Sequence, residues 1–160
     1  MKLQRVFGVT GWKNSGKTML VERLIAEFVR RGWRVSTIKH AHHDVDIDRP
    51  GRDSYRHRVA GASEVALVGG RRYAIMREQA EPMLADVLAR LSPVDLVLIE
   101  GYKREAHDKI EVRAGDAPSL AAADPGIVAI AADAAPPEVL LPWFKRDDIA
   151  GIADFIAKRA

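Results

Sequence analysis

The sequence predicts an α/β fold: a mostly parallel sheet with a β-hairpin extension that makes it a mixed sheet, within a single domain covering residues 1–160. Three observations carry this expectation. The first forty residues read as strand, glycine loop, helix and strand, and such a βαβ unit returns the chain so that its strands run parallel. Residues 94–99, apolar but for Asp95, form the kind of run typical of a strand buried on both faces of a parallel sheet. Residues 64–68 and 71–76 are β-rich runs joined at Gly69-Gly70, a two-residue hairpin signal. At roughly 150 residues per domain, the chain leaves little room for a second one.

Each element follows from local pattern. Residues 4–10 form a short apolar strand ended by Gly11. In 18–31, Leu20, Leu24, Ile25 and Phe28 recur at helical spacing, and Gly32 stops the helix. Residues 33–39 alternate and are rich in β-formers, which predicts the second strand. Residues 40–52 carry no apolar period and contain Pro50-Gly51, so they read as a loop long enough to be functional. A short helix is expected over 53–60, and another over 82–91 with Pro82 in its first turn. Residues 110–113 and 127–131 are short strands. The last helix, 147–158, opens with acids and ends in Lys and Arg, as the helix dipole favours. Residues 114–124 and 134–142 are Ala/Pro/Asp-rich connectors.

Composition narrows the function classes. Without cysteine there is no disulfide, thiolate zinc site or cysteine nucleophile. Lys+Arg number 25 against 22 Asp+Glu, and these charges are interspersed among only ten aromatic residues. That pattern argues against a nucleic-acid surface, which needs a basic stripe with aromatic platforms. No run approaches the ~18 uninterrupted apolar residues of a membrane span, and residues 1–7 do not form a signal peptide. A cytoplasmic protein with no membrane partner is expected.

The chemistry concentrates in three places. Gly11-Trp12-Lys13-Asn14-Ser15-Gly16-Lys17-Thr18 matches Gly-x-x-x-x-Gly-Lys-[Ser/Thr] between a predicted strand and a predicted helix. In that setting backbone N–H groups and the helix N-terminus meet phosphate oxygens, Lys17 reaches the β- and γ-phosphates, and the Thr18 hydroxyl can ligate Mg²⁺. At the end of the 94–99 run, Glu100 supplies the second carboxylate such sites need, and Gly101 offers an unhindered N–H. Glutamate is one methylene longer than the usual aspartate, which favours a water-mediated or base-like role. The third place is residues 39–58, with four of the five histidines. There Asp46 or Asp48 can reach a metal or its water, and Lys39, Arg49 and Arg52 can meet phosphates. Zinc on His40, His42 and His43 is disfavoured, since adjacent histidines point apart and no cysteine completes a tetrahedron. The chain's one asparagine is Asn14, so the Asn-Lys-x-Asp guanine motif is absent. Asp133, after the 127–131 run, either accepts from a guanine edge or closes a turn.

The phosphate loop, the segment Lys39-His40 through Asp53-Ser54 to Ala60-Gly61-Ala62, and Leu98-Ile99-Glu100-Gly101-Tyr102-Lys103 together resemble the MobB family of molybdopterin-guanine dinucleotide biosynthesis adapter proteins. The resemblance implies a three-layer P-loop NTPase fold, binding of GTP and Mg²⁺, at most weak GTP hydrolysis, and a homodimer. It also implies a partner, the nucleotidyltransferase MobA, which attaches GMP to molybdopterin; molybdopterin itself is a further candidate ligand. By this likeness residues 11–18 are expected to bind phosphate, Thr18 to bind Mg²⁺ and Glu100 to be the second-strand acid. From their positions in the chain, Met19, Gly101 and Asp133 are further candidates for nucleotide binding and Asp46 for the metal, with Glu100 and Asp46 as the catalytic candidates. Ala41 and Met19 depart from the family pattern without removing a phosphate or metal ligand, and Lys13 is not placed for activation in trans. The competing expectation is a small-molecule kinase, with Arg52, Arg56 and Arg58 clamping the transferred phosphate.

Overall fold

The computed structural model describes residues 4–41 and 47–159. In chain order the elements are β1 (Val6–Thr10), α1 (Lys17–Arg30), β2 (Val35–Lys39), α2 (Asp53–Val59), β3 (Glu64–Val68), β4 (Tyr73–Arg77) and α3 (Leu84–Leu88). They continue with β5 (Leu96–Glu100), β6 (Lys109–Val112), β7 (Ile127–Ala132), β8 (Trp143–Lys145) and α4 (Ile149–Arg159). The chain divides into two compact units, one made of Met1–His40 with Arg90–Ala160 and the other of Ala41–Ala89.

In the first unit six strands form one sheet in the order β2-β5-β1-β6-β7-β8, and every pairing is parallel. The chain thus has an α/β fold with a parallel six-stranded sheet and, apart from it, a small antiparallel hairpin sheet. Alternation along the strands separates two faces. Phe7, Val9, Leu98, Ile110 and Val112 are buried in one apolar cluster with Leu24 and Phe28 of α1 and Ile152 and Ile156 of α4. The intervening residues of β6, Lys109 and Glu111, are fully buried as well and are satisfied by connectors. Lys109 Nζ donates to the Glu105 carbonyl at 2.5 Å and pairs with Asp124 at 3.1 Å. Glu111 accepts from Ser119 Oγ at 2.6 Å and from the Leu120 N–H at 2.8 Å. Pairing of this kind is what makes burial of a charge tolerable.

In the second unit, β3 and β4 pair antiparallel and make no ladder with the parallel sheet, so the antiparallel content is separate rather than mixed into it. The hairpin loop is also longer than the Gly-Gly signal suggests. Val68 pairs with Tyr73, and the Gly69 N–H donates to the Arg72 carbonyl at 2.8 Å, closing a four-residue connection. The helix expected over 82–91 contracts to Leu84–Leu88. Strand β8 lies between the 134–142 connector and the last helix, where the sequence pattern assigns no element, because three residues after Pro142 are too few for alternation to show. No described helix is long and apolar enough to cross a membrane.

Candidate functional site

The parallel sheet brings the ends of β5, β1, β6, β7 and β8 to one edge, where open α/β sheets hold ligands. The loop after β1 turns sharply there. Gly11 has φ +148°, and a Cβ on it would press into the Val112 carbonyl and lie 2.6 Å from Ser15 Oγ. Only glycine lets the loop approach β6 this closely. Asn14 takes the left-handed region at φ +61°, which asparagine tolerates, and Gly16 at φ +97° leads into α1. The Ser15 hydroxyl is buried with no hydrogen-bond partner, a polar group directed into the loop and left for something else to satisfy.

Lys17 Nζ donates to the Trp12 carbonyl at 2.6 Å, so the lysine folds back across its own loop. Burial pushes the Lys17 ammonium below the ordinary lysine pKa; Glu100 counteracts this, while Lys103 and Lys39 add to it. The Thr18 hydroxyl donates to Glu100 Oε1 at 2.9 Å, and Lys39 Nζ lies 3.6 Å from the same oxygen. The Glu100 side chain is only 12% exposed, so its neighbours screen it little from these partners. Lys39 and Glu100 meet because β2 and β5 pair in register at those residues. Trp12 is pinned by its indole N–H, which donates to the Pro118 carbonyl at 2.7 Å, and the Lys103 ammonium lies 5.7 Å from its ring centre.

Behind Glu100, Gly101 adopts φ +99°, with His40 Cβ and carbonyl oxygen 3.0 Å from where a side chain would begin. Tyr102 follows at φ +48° and stacks on His40, ring centres 4.2 Å apart.

A cavity of about 630 Å³ opens beside the loop. Asn14, Gly16 and Met19 line it together with Asp133, Lys145 and Arg146. Asp133 therefore shares a cavity with the phosphate-loop motif, as does Met19. Its carboxylate is engaged: Arg146 donates through Nε to Oδ1 at 2.7 Å and through Nη2 to Oδ2 at 2.8 Å. Arg146 Nη1 also donates to the Ser15 carbonyl at 3.3 Å. Lys145 and Arg146 carry no sequence signal because they end and follow the three-residue β8, and two basic residues there form no motif.

The His/Asp segment contributes less. Asp46, His42 and His43 lie outside the described residues. Asp48 belongs to the second unit, where it accepts from the Ser54 hydroxyl at 2.8 Å and the Arg49 N–H at 3.2 Å, shaping the entry to α2. Arg58 pairs with Glu78 at 3.0 Å and packs over Tyr55 in the same unit. Among the described residues no cluster of His, Asp and Glu is arranged as a metal site.

Over residues 6–133 the sequence matches the family described as "MobB: Molybdopterin guanine dinucleotide synthesis protein B". The molybdopterin-guanine dinucleotide biosynthesis adapter protein of Escherichia coli (strain K12) is 37% identical over 155 residues, 92% of this chain and 88% of that protein. Its Haemophilus influenzae counterpart is 46% identical over 108 residues, 66% of this chain and 61% of that protein, so the match spans less than two thirds of that relative. The crystal structure of a MobB homolog from Bacillus stearothermophilus has a TM-score of 0.71 at 30% identity, covering 96% of this chain and 99% of that one.

Proposed function

This chain belongs to the MobB family, and on that premise we propose that it is a GTP-binding adapter of molybdopterin guanine dinucleotide synthesis, hydrolysing GTP weakly at most. One observation carries the reading: a single cavity is lined both by the phosphate-loop residues Asn14 and Gly16 and by Asp133. A nucleoside triphosphate has matching ends, an anionic tail for a glycine loop at a helix N-terminus and a base with a hydrogen-bonding edge for a carboxylate. Guanine offers that carboxylate two adjacent N–H donors, whereas adenine offers one donor beside an acceptor.

The residues present also suit Mg²⁺. Thr18 and Glu100 are hard oxygen donors 2.9 Å apart, and Mg²⁺ bound to a nucleotide takes one or two protein oxygens and keeps its waters. Thr18 and Glu100 would hold the ion, directly or through water, and the ion would neutralise charge on the β- and γ-phosphates. Asp46 stays a candidate from sequence alone.

The adapter role takes MobA as the proposed partner and the cytoplasm as the proposed compartment. We also propose a homodimer, supported by the hairpin of the second unit: Val68, Tyr73 and Ile75 share one face of that two-stranded sheet and are 60–74% exposed. A two-stranded sheet with an uncovered apolar face is stabilised by further packing. Calorimetric titration of GTP, GDP and ATP into the purified protein, with and without Mg²⁺, tests the nucleotide reading. Micromolar or tighter, Mg²⁺-dependent binding that prefers GTP is expected, and absence of GTP binding overturns it.

A further inference from the structure

The Asp133–Arg146 pair has a geometry that bears on how this cavity recognises a base. Two parallel N–H donors of one planar guanidinium meet the two oxygens of one carboxylate at 2.7 and 2.8 Å. That fork is the most specific arrangement a carboxylate accepts. The Watson–Crick edge of guanine carries the same chemistry: N1–H and N2–H are parallel donors on one planar, guanidine-like fragment. Both Asp133 and Arg146 line the cavity that begins at the phosphate loop. The same arginine reaches that loop through its remaining nitrogen, donating to the Ser15 carbonyl. Arg146 thus bridges Asp133 and the phosphate loop, and its Nη1 lies 3.4 Å from where a Cβ on Gly16 would stand.

We propose that Arg146 is an internal stand-in for the guanine edge, occupying the Asp133 carboxylate until a guanine nucleotide displaces it, so that this arginine sets the strength of guanine selectivity. The inference rests on reading the cavity as a guanine-nucleotide site. Without a base, the pair keeps Asp133 from presenting an unpartnered carboxylate to the cavity. Adenine cannot take the arginine's place, since the edge facing the carboxylate holds an acceptor where guanine holds N1–H. Hypoxanthine, without the 2-amino group, replaces only one of the two donors. The exchange is feasible because the pair is accessible: the Arg146 and Asp133 side chains are 37% and 64% exposed. Exposed pairs are weak enough to exchange partners at modest cost.

The test is calorimetry of GTP, ITP and ATP with Mg²⁺ against the full chain and its Arg146→Ala, Arg146→Lys and Asp133→Asn variants, with the Asp133→Asn/Arg146→Ala double variant. Removing the competitor should tighten GTP about two- to fivefold, tighten ITP less and leave ATP unchanged. Arg146→Lys keeps the charge but loses the fork, so it should move in the same direction by a smaller factor, and it serves if the alanine variant folds poorly. In the Asp133→Asn background, Arg146→Ala should have no effect on GTP. Equal tightening of GTP and ATP means Arg146 merely obstructs the cavity and overturns the proposal. Equal weakening of both means it supports the phosphate loop through Ser15, and also overturns it while the nucleotide site stands. If the unaltered chain binds no GTP, the reading beneath the inference fails.

Discussion

The phosphate loop with Glu100 at one end of the site, and the Asp133–Arg146 pair at the other, are built by different means. At the first, Lys17 and Thr18 come from one eight-residue loop, and Glu100 is brought beside them by strand register. The contacts at this end converge on Glu100, whose side chain is only 12% exposed. At the second, Asp133 follows β7 and Arg146 follows β8, with no sequence motif joining them, and their ion pair is largely open to water. One end is held by backbone geometry that few residue types permit, whereas the other is held by side chains that can exchange partners. Substitutions at the loop should therefore lower affinity for every nucleotide, whereas substitutions at Asp133 should change the ratio between nucleotides.

The largest expected effect is at Lys17. Removing its ammonium in Lys17→Ala deletes a charged hydrogen bond to phosphate, and GTP and ATP affinities should both fall about 10- to 100-fold. Their ratio should stay the same. Calorimetry of both nucleotides reads this directly, and a changed ratio would break the division between the two ends. Next in size, Thr18→Ala and Glu100→Gln should each reduce the Mg²⁺ enhancement of GTP binding about tenfold. Binding measured in EDTA should change little, which separates loss of the ion from loss of the loop. A smaller effect on the fold is expected from Gly101→Ala. At φ +99° with His40 packed against it, a side chain costs at least about 1 kcal/mol, read as a lower urea midpoint.

This division also explains what sequence could reveal. The phosphate loop was legible because its chemistry is written in contiguous residues, and Glu100 because an apolar run marks a buried strand and points to its end. The order of the parallel sheet was not legible, since pairing of β1 with both β5 and β6 depends on contacts far apart in sequence. Arg146 was hidden for the same reason: its meaning comes from a neighbour thirteen residues away across an unrecognised three-residue strand. Alternation alone would put Lys109 and Glu111 on the polar face of a half-buried strand. They are fully buried because connectors supply partners to both, and no periodicity encodes a connector. Asp46 lies outside the described residues, whereas Asp48 has a local structural task at Ser54.

The comparison between the two ends holds only while the fold itself does not titrate, and His107 sets that limit. Its ring nitrogens are buried without hydrogen-bond partners, beside Gly8 and Lys109. Burial pushes its pKa down from 6.5 to about 4; the Lys109 charge adds to the shift, and Asp124 and Asp108 oppose it. The folded state thus keeps the imidazole neutral where the unfolded chain protonates it. Between about 6.5 and 4 the unfolded state binds more protons, so this histidine makes stability rise with pH across that window and fall on acidification. Above about pH 6.5 it contributes no pH dependence. Urea unfolding at pH 7, 5.5 and 4.5 should show the midpoint dropping in the unaltered chain and dropping less in His107→Leu. Parallel declines in both proteins would assign the acid sensitivity elsewhere. Over the same range GTP and ATP binding should weaken together as the folded population shrinks, which distinguishes loss of fold from a change at either end of the site.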